Sequence, residues 1–271
     1  MLVSSAYWQY QIPLWVLIFL FLLVLLVPME IGFRLGSRHK RSNPNPDLEA
    51  GSDVTVTAML TLLALMLAFT YSFSMSRADL RKRAIVTEVN ALSTAFVRAD
   101  RLSEPGRTEV RQRLYDYTES RYVVPGSIST LVEMEQVVDR SVKKQSKIWP
   151  AVKSALQQPG DMTDPEKALL VSAINNVLDS HTSRMAVIYD RLPTAVLALL
   201  VLIAGTALGL AAYNSSISGH QIRWRMTAFA FILASLIYLI LDYDMMMRGF
   251  IQVDHSSLVV LIDEMKNAAN H

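Results

Sequence analysis

Thr61, Leu65 and Phe69 stand four apart in a stretch, Val54 to Ser76, that has no charge and no Pro or Gly. On a helix this spacing stacks them on one face, with Ala64, Ala68 and Ser72 beside them. A face of small, hydroxyl and isolated bulky apolar side chains suits a water-lined conduit with a hydrophobic constriction. Small and hydroxyl residues also let membrane helices approach closely. Spacing alone favours packing and leaves permeation as the alternative.

Other residues that carry chemistry are sparse. Asp242 and Asp244 end an apolar segment abruptly. Carboxylates at membrane depth default to a functional role, but at a span's end they can equally be solvated or cap nearby backbone. The histidines His39, His181, His220, His255 and His271 are too scattered for a metal site, and His181 falls in the apolar stripe of a helix, as a core histidine would. There are no cysteines, so disulfides and thiolate metal sites are excluded. No phosphate loop, His-Glu-x-x-His, Gly-x-Ser-x-Gly or paired-carboxylate signature is present. An enzyme is the least supported class, and no cofactor is expected.

Composition names the solvent. Apolar residues make up 52% of the 271 residues and charged residues 18%, below the quarter or so usual in soluble domains. Mean hydropathy is +0.28. A net charge of +2 gives no argument for nucleic acid. The chain reads as an all-α integral membrane protein with four transmembrane helices and an extramembrane helical bundle, its second span continuing into the bundle.

The first span is bracketed by Pro13 and Pro28, with Glu30 the lone charge between Ile12 and Phe33. No Lys or Arg precedes it and no small-residue cleavage site follows, which favours an anchor over a signal peptide. Arg34, Arg38, His39, Lys40 and Arg41 suit lipid headgroups, and Ser42–Asp53 is a loop. The second span flips to charge at Arg77, yet no helix breaker comes before Pro105, so the helix is expected to run on into water. Bundle helices follow with stripes at helical period. The first is Ile85, Val89, Leu92, Phe96 and Ala99; the second is Val110, Leu114 and Tyr117. The third is Leu131, Met134, Val138, Val142 and Trp149, ended by Pro150. The fourth is Leu170, Ile174, Val177 and Ile188, capped by Thr163 or Asp164 with Pro165 in its first turn. Pro193 returns the chain to lipid. Gly205-x-x-x-Gly209 gives the third span a flat packing face. The fourth span is Met226–Leu241, and the tail offers Leu258, Val259, Leu261 and Ile262 for docking. The expected segments are 1–53, 54–102, 103–192, 193–247 and 248–271. Basic residues near span ends slightly favour the bundle side, which puts the bundle and both termini in the cytoplasm.

At Leu67-Ala68-Phe69 through Arg77 the chain resembles the bestrophins, whose pore helix has a similar Phe-rich stretch followed by Arg. It is more similar to the bestrophin-like family of bacterial membrane proteins. That pattern includes Glu30-x-Gly32-x-x-x-Gly36, Leu65 to Arg77, Glu88-x-Asn90-Ala91 with Thr94 and Arg98, then Pro105, Tyr117, Arg121, Leu192-Pro193, and Asp242 through Leu258. It departs from the pattern at Met245-Met246-Met247 and Ser257-Leu258.

The resemblance implies a homo-oligomer, expected to be a pentamer, in a bacterial inner membrane. Its partners would be the lipid bilayer, other copies of itself and small inorganic ions. The neck would be Thr61, Leu65 and Phe69. Arg77, Arg81, Lys82 and Arg83 would form basic rings favouring anions, unless they meet lipid phosphate or pair with Glu88 and Asp79. Glu88 and Asn90 are expected to make inter-helix hydrogen bonds. Asp242 and Asp244 would brace the pore helix, with Arg77 as a charge partner. The rival reading is a membrane-anchored scaffold whose bundle binds a partner protein. A secondary transporter is disfavoured, because no inverted repeat or broken helix pair is present.

Overall fold

A computed structural model describes residues 14–42, 52–124, 127–128, 130–218, 223–245 and 254–269. The described residues contain no strand. In chain order the helices are α1 (Leu14–Ser42), α2 (Ser52–Ala99), α3 (Gly106–Arg121), α4 (Leu131–Gln145), α5 (Ile148–Leu156), α6 (Asp164–Tyr189), α7 (Thr194–Ile217), α8 (Arg223–Asp244) and α9 (Ser256–Ala269). Four helical stretches, supplied by α1, α2, α7 and α8, are long and apolar enough to cross a membrane. The expected all-α architecture is what the chain adopts, and α2 runs unbroken through the change of composition at Arg77. Most of the loop at Ser42–Asp53, the link around His220 and the segment carrying Met246 to Val253 lie outside the described residues.

The chain forms two compact units, Met1–Ser76 with Arg191–Met245, and Arg77–Asp190 with Met246–His271. In the first, α1 packs on α7 and α8 around Leu17, Leu25, Phe33, Leu200, Leu208 and Ile237. Its two glycine pairs are the two sides of one crossing. A Cβ on Gly32 would lie 2.1 Å from the Gly209 carbonyl oxygen, and one on Gly36 would lie 2.6 Å from that of Tyr213. Gly205 and Gly209 in turn face Pro28. Between helices in lipid the hydrophobic effect does not drive association, so contact this close, with its dispersion energy, carries the packing. The Ser37 and Ser216 hydroxyls, 2.8 Å apart, extend the seam. Pro28 lies inside α1 without ending it, as membrane helices permit when neighbours cover the freed backbone.

In the second unit the predicted stripes converge. Ile85, Leu92 and Ala99 of α2 meet Val110 and Leu114 of α3 and Leu170, Ile174 and Val177 of α6 in one core. The tail joins it through α9, whose Leu258, Leu261 and Met265 are buried while Val259 is exposed. Thr130 and Glu133 cap α4 reciprocally, and the Glu166 carboxylate accepts from the Thr163 backbone N–H at the start of α6.

The third stripe needs correction. α4 stops at Gln145, and a separate α5 begins at Ile148. Pro150 does not end a helix; it occupies the first turn of α5, where the missing N–H has no intrahelical acceptor to lose. The stripe already turns outward within α4, from buried Met134 through half-buried Val138 to exposed Val142, and beyond the break Trp149 is exposed as well. Ile148 and Val152 are buried in their place.

The α1–α7 crossing makes a graded prediction. Gly32→Leu should abolish folded protein, because its side chain would occupy the space of a backbone carbonyl. Gly205→Ala, whose Cβ would sit 3.2 Å from Pro28 Cγ, should cost no more than the about 1–3 kcal/mol of an overpacked site. Size-exclusion profiles and thermal melts in detergent distinguish the two.

Candidate functional site

The membrane half of α2 packs on one side only. Leu63, Thr70 and Ser74 are buried, and Met59, Leu60, Leu67 and Tyr71 pack partly buried against the cluster of the first unit. About half a turn away, at roughly 100° per residue, lie Thr61, Leu65 and Phe69, all exposed. Leu65 and Phe69 keep 52% and 54% of their surface, and Phe73 beside them keeps 63%. Only 11% of the apolar window of α2 is buried, against 33%, 39% and 44% for the other spans. The hydroxyls divide between the two faces. Thr70 turns inward and donates to the Met66 carbonyl, while Ser72 and Ser76 remain exposed. Thr61 donates to the Thr57 carbonyl at 2.8 Å, so its polar atom is satisfied whatever it faces.

The four bases do not share one environment. Arg77 pairs with Asp190 at 3.2 Å. Arg81 is buried, and its guanidinium donates to the Val187 and Asp190 carbonyls at 3.3 and 3.0 Å. That is a cation at the C-terminus of α6, where the exposed carbonyls and the helix dipole favour positive charge. Lys82 and Arg83 are exposed. The expected set of four free bases is therefore too large: Arg81 is committed within its own chain, and Arg77 is held by an ion pair.

Farther along α2, Glu88 is fully buried at the centre of a polar cluster. Arg184 of α6 donates to it at 2.5 Å and Arg121 of α3 at 3.3 Å. The Tyr117 hydroxyl also donates to Glu88 and lies 2.9 Å from His181 Nδ1. Arg121 continues to the Ser141 hydroxyl of α4 at 3.2 Å. Burial, and next the Glu88 charge, push the Tyr117 phenol well above its ordinary value, so it stays a donor. Three helices thus meet on one carboxylate.

Asn90 is exposed and has no hydrogen-bond partner among the described residues, so the inter-helix bond expected of it is not made. Asp242 and Asp244 are buried in the first unit. Asp244 accepts from the Leu192 backbone N–H at 3.0 Å and Asp242 from the Tyr238 hydroxyl at 3.1 Å. The ring of Tyr243, between them in sequence, meets Tyr71 of α2 edge-on at 5.7 Å. Sequence reasoning missed Arg184 and Ser141. The signal for Arg184 was available: with His181 it interrupts the apolar stripe of Ile174, Val177 and Ile188 at the same helical spacing. No group of metal-ligating residues occurs among the described residues.

These features define a four-span α-helical membrane protein whose second span extends into a helical bundle. A sequence profile of the bestrophin-like domain matches residues 18–258. The chain belongs to the bestrophin-like family. Among solved structures, a bacterial bestrophin homologue from Klebsiella pneumoniae, phased by Zn-SAD, is 10% identical with a TM-score of 0.66, over 96% of this chain and 99% of that one. A point mutant of a Klebsiella pneumoniae bestrophin homologue is 11% identical with a TM-score of 0.66, over 92% and 98% of the two chains. No curated protein sequence matches the chain.

The Glu88 cluster predicts an asymmetry. Glu88→Gln strands two buried guanidiniums and should destabilise the protein by about 3–5 kcal/mol. Asp116→Asn removes the partly exposed pair with Lys144 and should cost under about 1 kcal/mol. Chemical denaturation followed by far-UV circular dichroism gives both values.

Proposed function

We propose that the chain forms a homopentameric ion channel in the bacterial inner membrane, with its bundle in the cytoplasm. Copies of α2 would surround a shared axis, and Thr61, Leu65 and Phe69 would form a hydrophobic neck. The observation that carries this reading is the face of α2 that its own subunit leaves bare. Membership of the bestrophin-like family and the fold shared with bacterial bestrophin homologues support it. Apolar side chains at the neck would exclude water when close together and admit a hydrated ion when splayed.

Helical phase refines the rings. Residues about five turns apart lie on one line along a helix, which aligns Leu65 with Arg83, Ser72 with Asn90, and Ser76 with Thr94. Arg83, Asn90 and Thr94 would line the aqueous continuation of the conduit, whereas Arg77 and Arg81 lie roughly 120° and 160° round the helix. Anion preference would then depend on Arg83, with Lys82 at its flank and the exposed Asp79 one turn away opposing it. Asn90 would serve the conduit as an exposed polar group. Asp242 and Asp244 would hold the last span and the chain entering α7 in the arrangement that supports α2.

The purified protein in planar bilayers supplies the test. Phe69→Ala and Leu65→Ala should each raise the current several-fold. Arg83→Glu should shift the reversal potential under a chloride gradient toward the cation limit, and Asp79→Asn should shift it the other way. A monomer by native mass spectrometry, or silence from wild type and both neck variants, would reject the channel. An intact oligomer without current would favour the scaffold reading.

A further inference from the structure

A second feature of the water-facing unit lies away from α2's bare face. Between the first turns of α3 and the last turns of α9 is a cleft of about 480 Å³, within the range of small-molecule sites. Ala268 is exposed on its apolar side, where the buried Met265 and Phe96 reach only the edge of the lining, and Arg107, Thr108 and Lys266 make its polar side. Arg111 spans it from below. Its guanidinium stacks over Phe96 at 4.3 Å, pairs with Asp100 at 2.6 Å and donates to the Ala268 carbonyl at 3.0 Å.

The charges in the cleft do not balance. Glu104, its acid, is fully engaged: one oxygen accepts from Arg107 at 2.7 Å, and the other from the Thr108 hydroxyl at 2.8 Å and backbone N–H at 3.3 Å. The Thr108 hydroxyl and then Arg107 hold this carboxyl below its usual range, so it stays ionised and occupied. Arg111 is matched by Asp100. Lys266 has no hydrogen bond or ion pair among the described residues. The uncommitted charge among the lining residues is therefore one ammonium, and Arg107 in the same lining keeps donors that Glu104 does not use.

We infer that the cleft between α3 and α9 binds a small amphipathic organic anion, its carboxylate or sulfonate on Lys266 and Arg107 and its apolar body over Ala268 and the edge of Phe96. Such a ligand bridges the C-terminal helix to the bundle and stabilises the docked position of α9. The site is separate from the proposed conduit and does not depend on conduction.

Full-length protein in lipid nanodiscs provides the assay, with 2-naphthoate as the probe and empty nanodiscs as background. Isothermal titration should show saturable binding of 2-naphthoate, and binding of the neutral 2-naphthylmethanol should be weaker by roughly tenfold or more. Lys266→Gln, an exposed substitution, should weaken 2-naphthoate by a similar factor. Ala268→Trp, which fills the cleft, should remove binding while hydrogen exchange across α3 and α6 stays native. Saturating 2-naphthoate should slow exchange in α9 of the wild type. Equal affinity for acid and alcohol, unchanged binding in Lys266→Gln and Ala268→Trp, or no saturable heat above empty nanodiscs would each overturn the assignment.

Discussion

A single helix has to satisfy two solvents without a break, and that constraint organises both units. α2 is 48 residues long, about 72 Å at helical rise. Residues separated by about five turns share a line on it, so Leu67 falls in line with Ile85 and Ser74 with Leu92. These are residues that pack against their own chain. The packed line therefore keeps its phase through the change from lipid-compatible to charged sequence. The opposite line keeps its phase too, and it is bare in both solvents. Turning α2 to cover it would pull Leu63 or Leu92 out of its core, and each buried side chain of that size is worth roughly 1.5–3 kcal/mol.

The two units are held by different physics. The spans close on backbone contact, Gly32 against Gly209 with Pro28 beside Gly205, because lipid leaves dispersion and hydrogen bonding to do the packing. The bundle closes on ordinary apolar burial, with the Glu88 cluster added inside it. That cluster is not a device for raw stability. Arg121 Nη2 and Arg184 Nε are buried without a hydrogen bond, and a well-packed apolar trio would often be as stable. What it supplies is register. One carboxylate that accepts from both α3 and α6 fixes the rotation of α2 about its own axis, which an apolar stripe constrains only loosely.

How much of this could be read in the sequence depends on the period of each signal. The stripes Ile85-Val89-Leu92-Phe96-Ala99 and Val110-Leu114-Tyr117 became core because a helical period leaves one face to bury. The paired glycines became a crossing because small residues have few other uses at that spacing in a membrane helix. Pro150 misled, since its position within a helix decides whether it breaks or starts one, and that position is not a local property. The bases misled for a related reason. Arg77, Arg81, Lys82 and Arg83 are alike in composition, and only the end of α6, distant in sequence, decides that Arg81 turns inward to Val187 and Asp190. Arg184 went unrecognised because a cation in an apolar stripe is informative only once its carboxylate is known to stand opposite.

The same asymmetry bears on how a neck on α2 would open. A gate has to move at little cost, and mobile elements come from the least packed parts of a structure. Among the spans, α2 has the smallest buried share, 11% of its window, while α1 and α7 are interlocked by contacts that no sliding preserves. Tilt of the membrane half of α2 about Leu63, Leu67 and Tyr71, which would stay packed, would disturb fewer contacts than movement of α1 or α7. Its lower half is fixed by Glu88 and, one or two turns nearer the membrane, by Arg81. Motion of the neck would then be borne by the helix above Arg77, where Thr70 and Ser74 are the buried polar side chains and Ser74 makes no hydrogen bond to be broken.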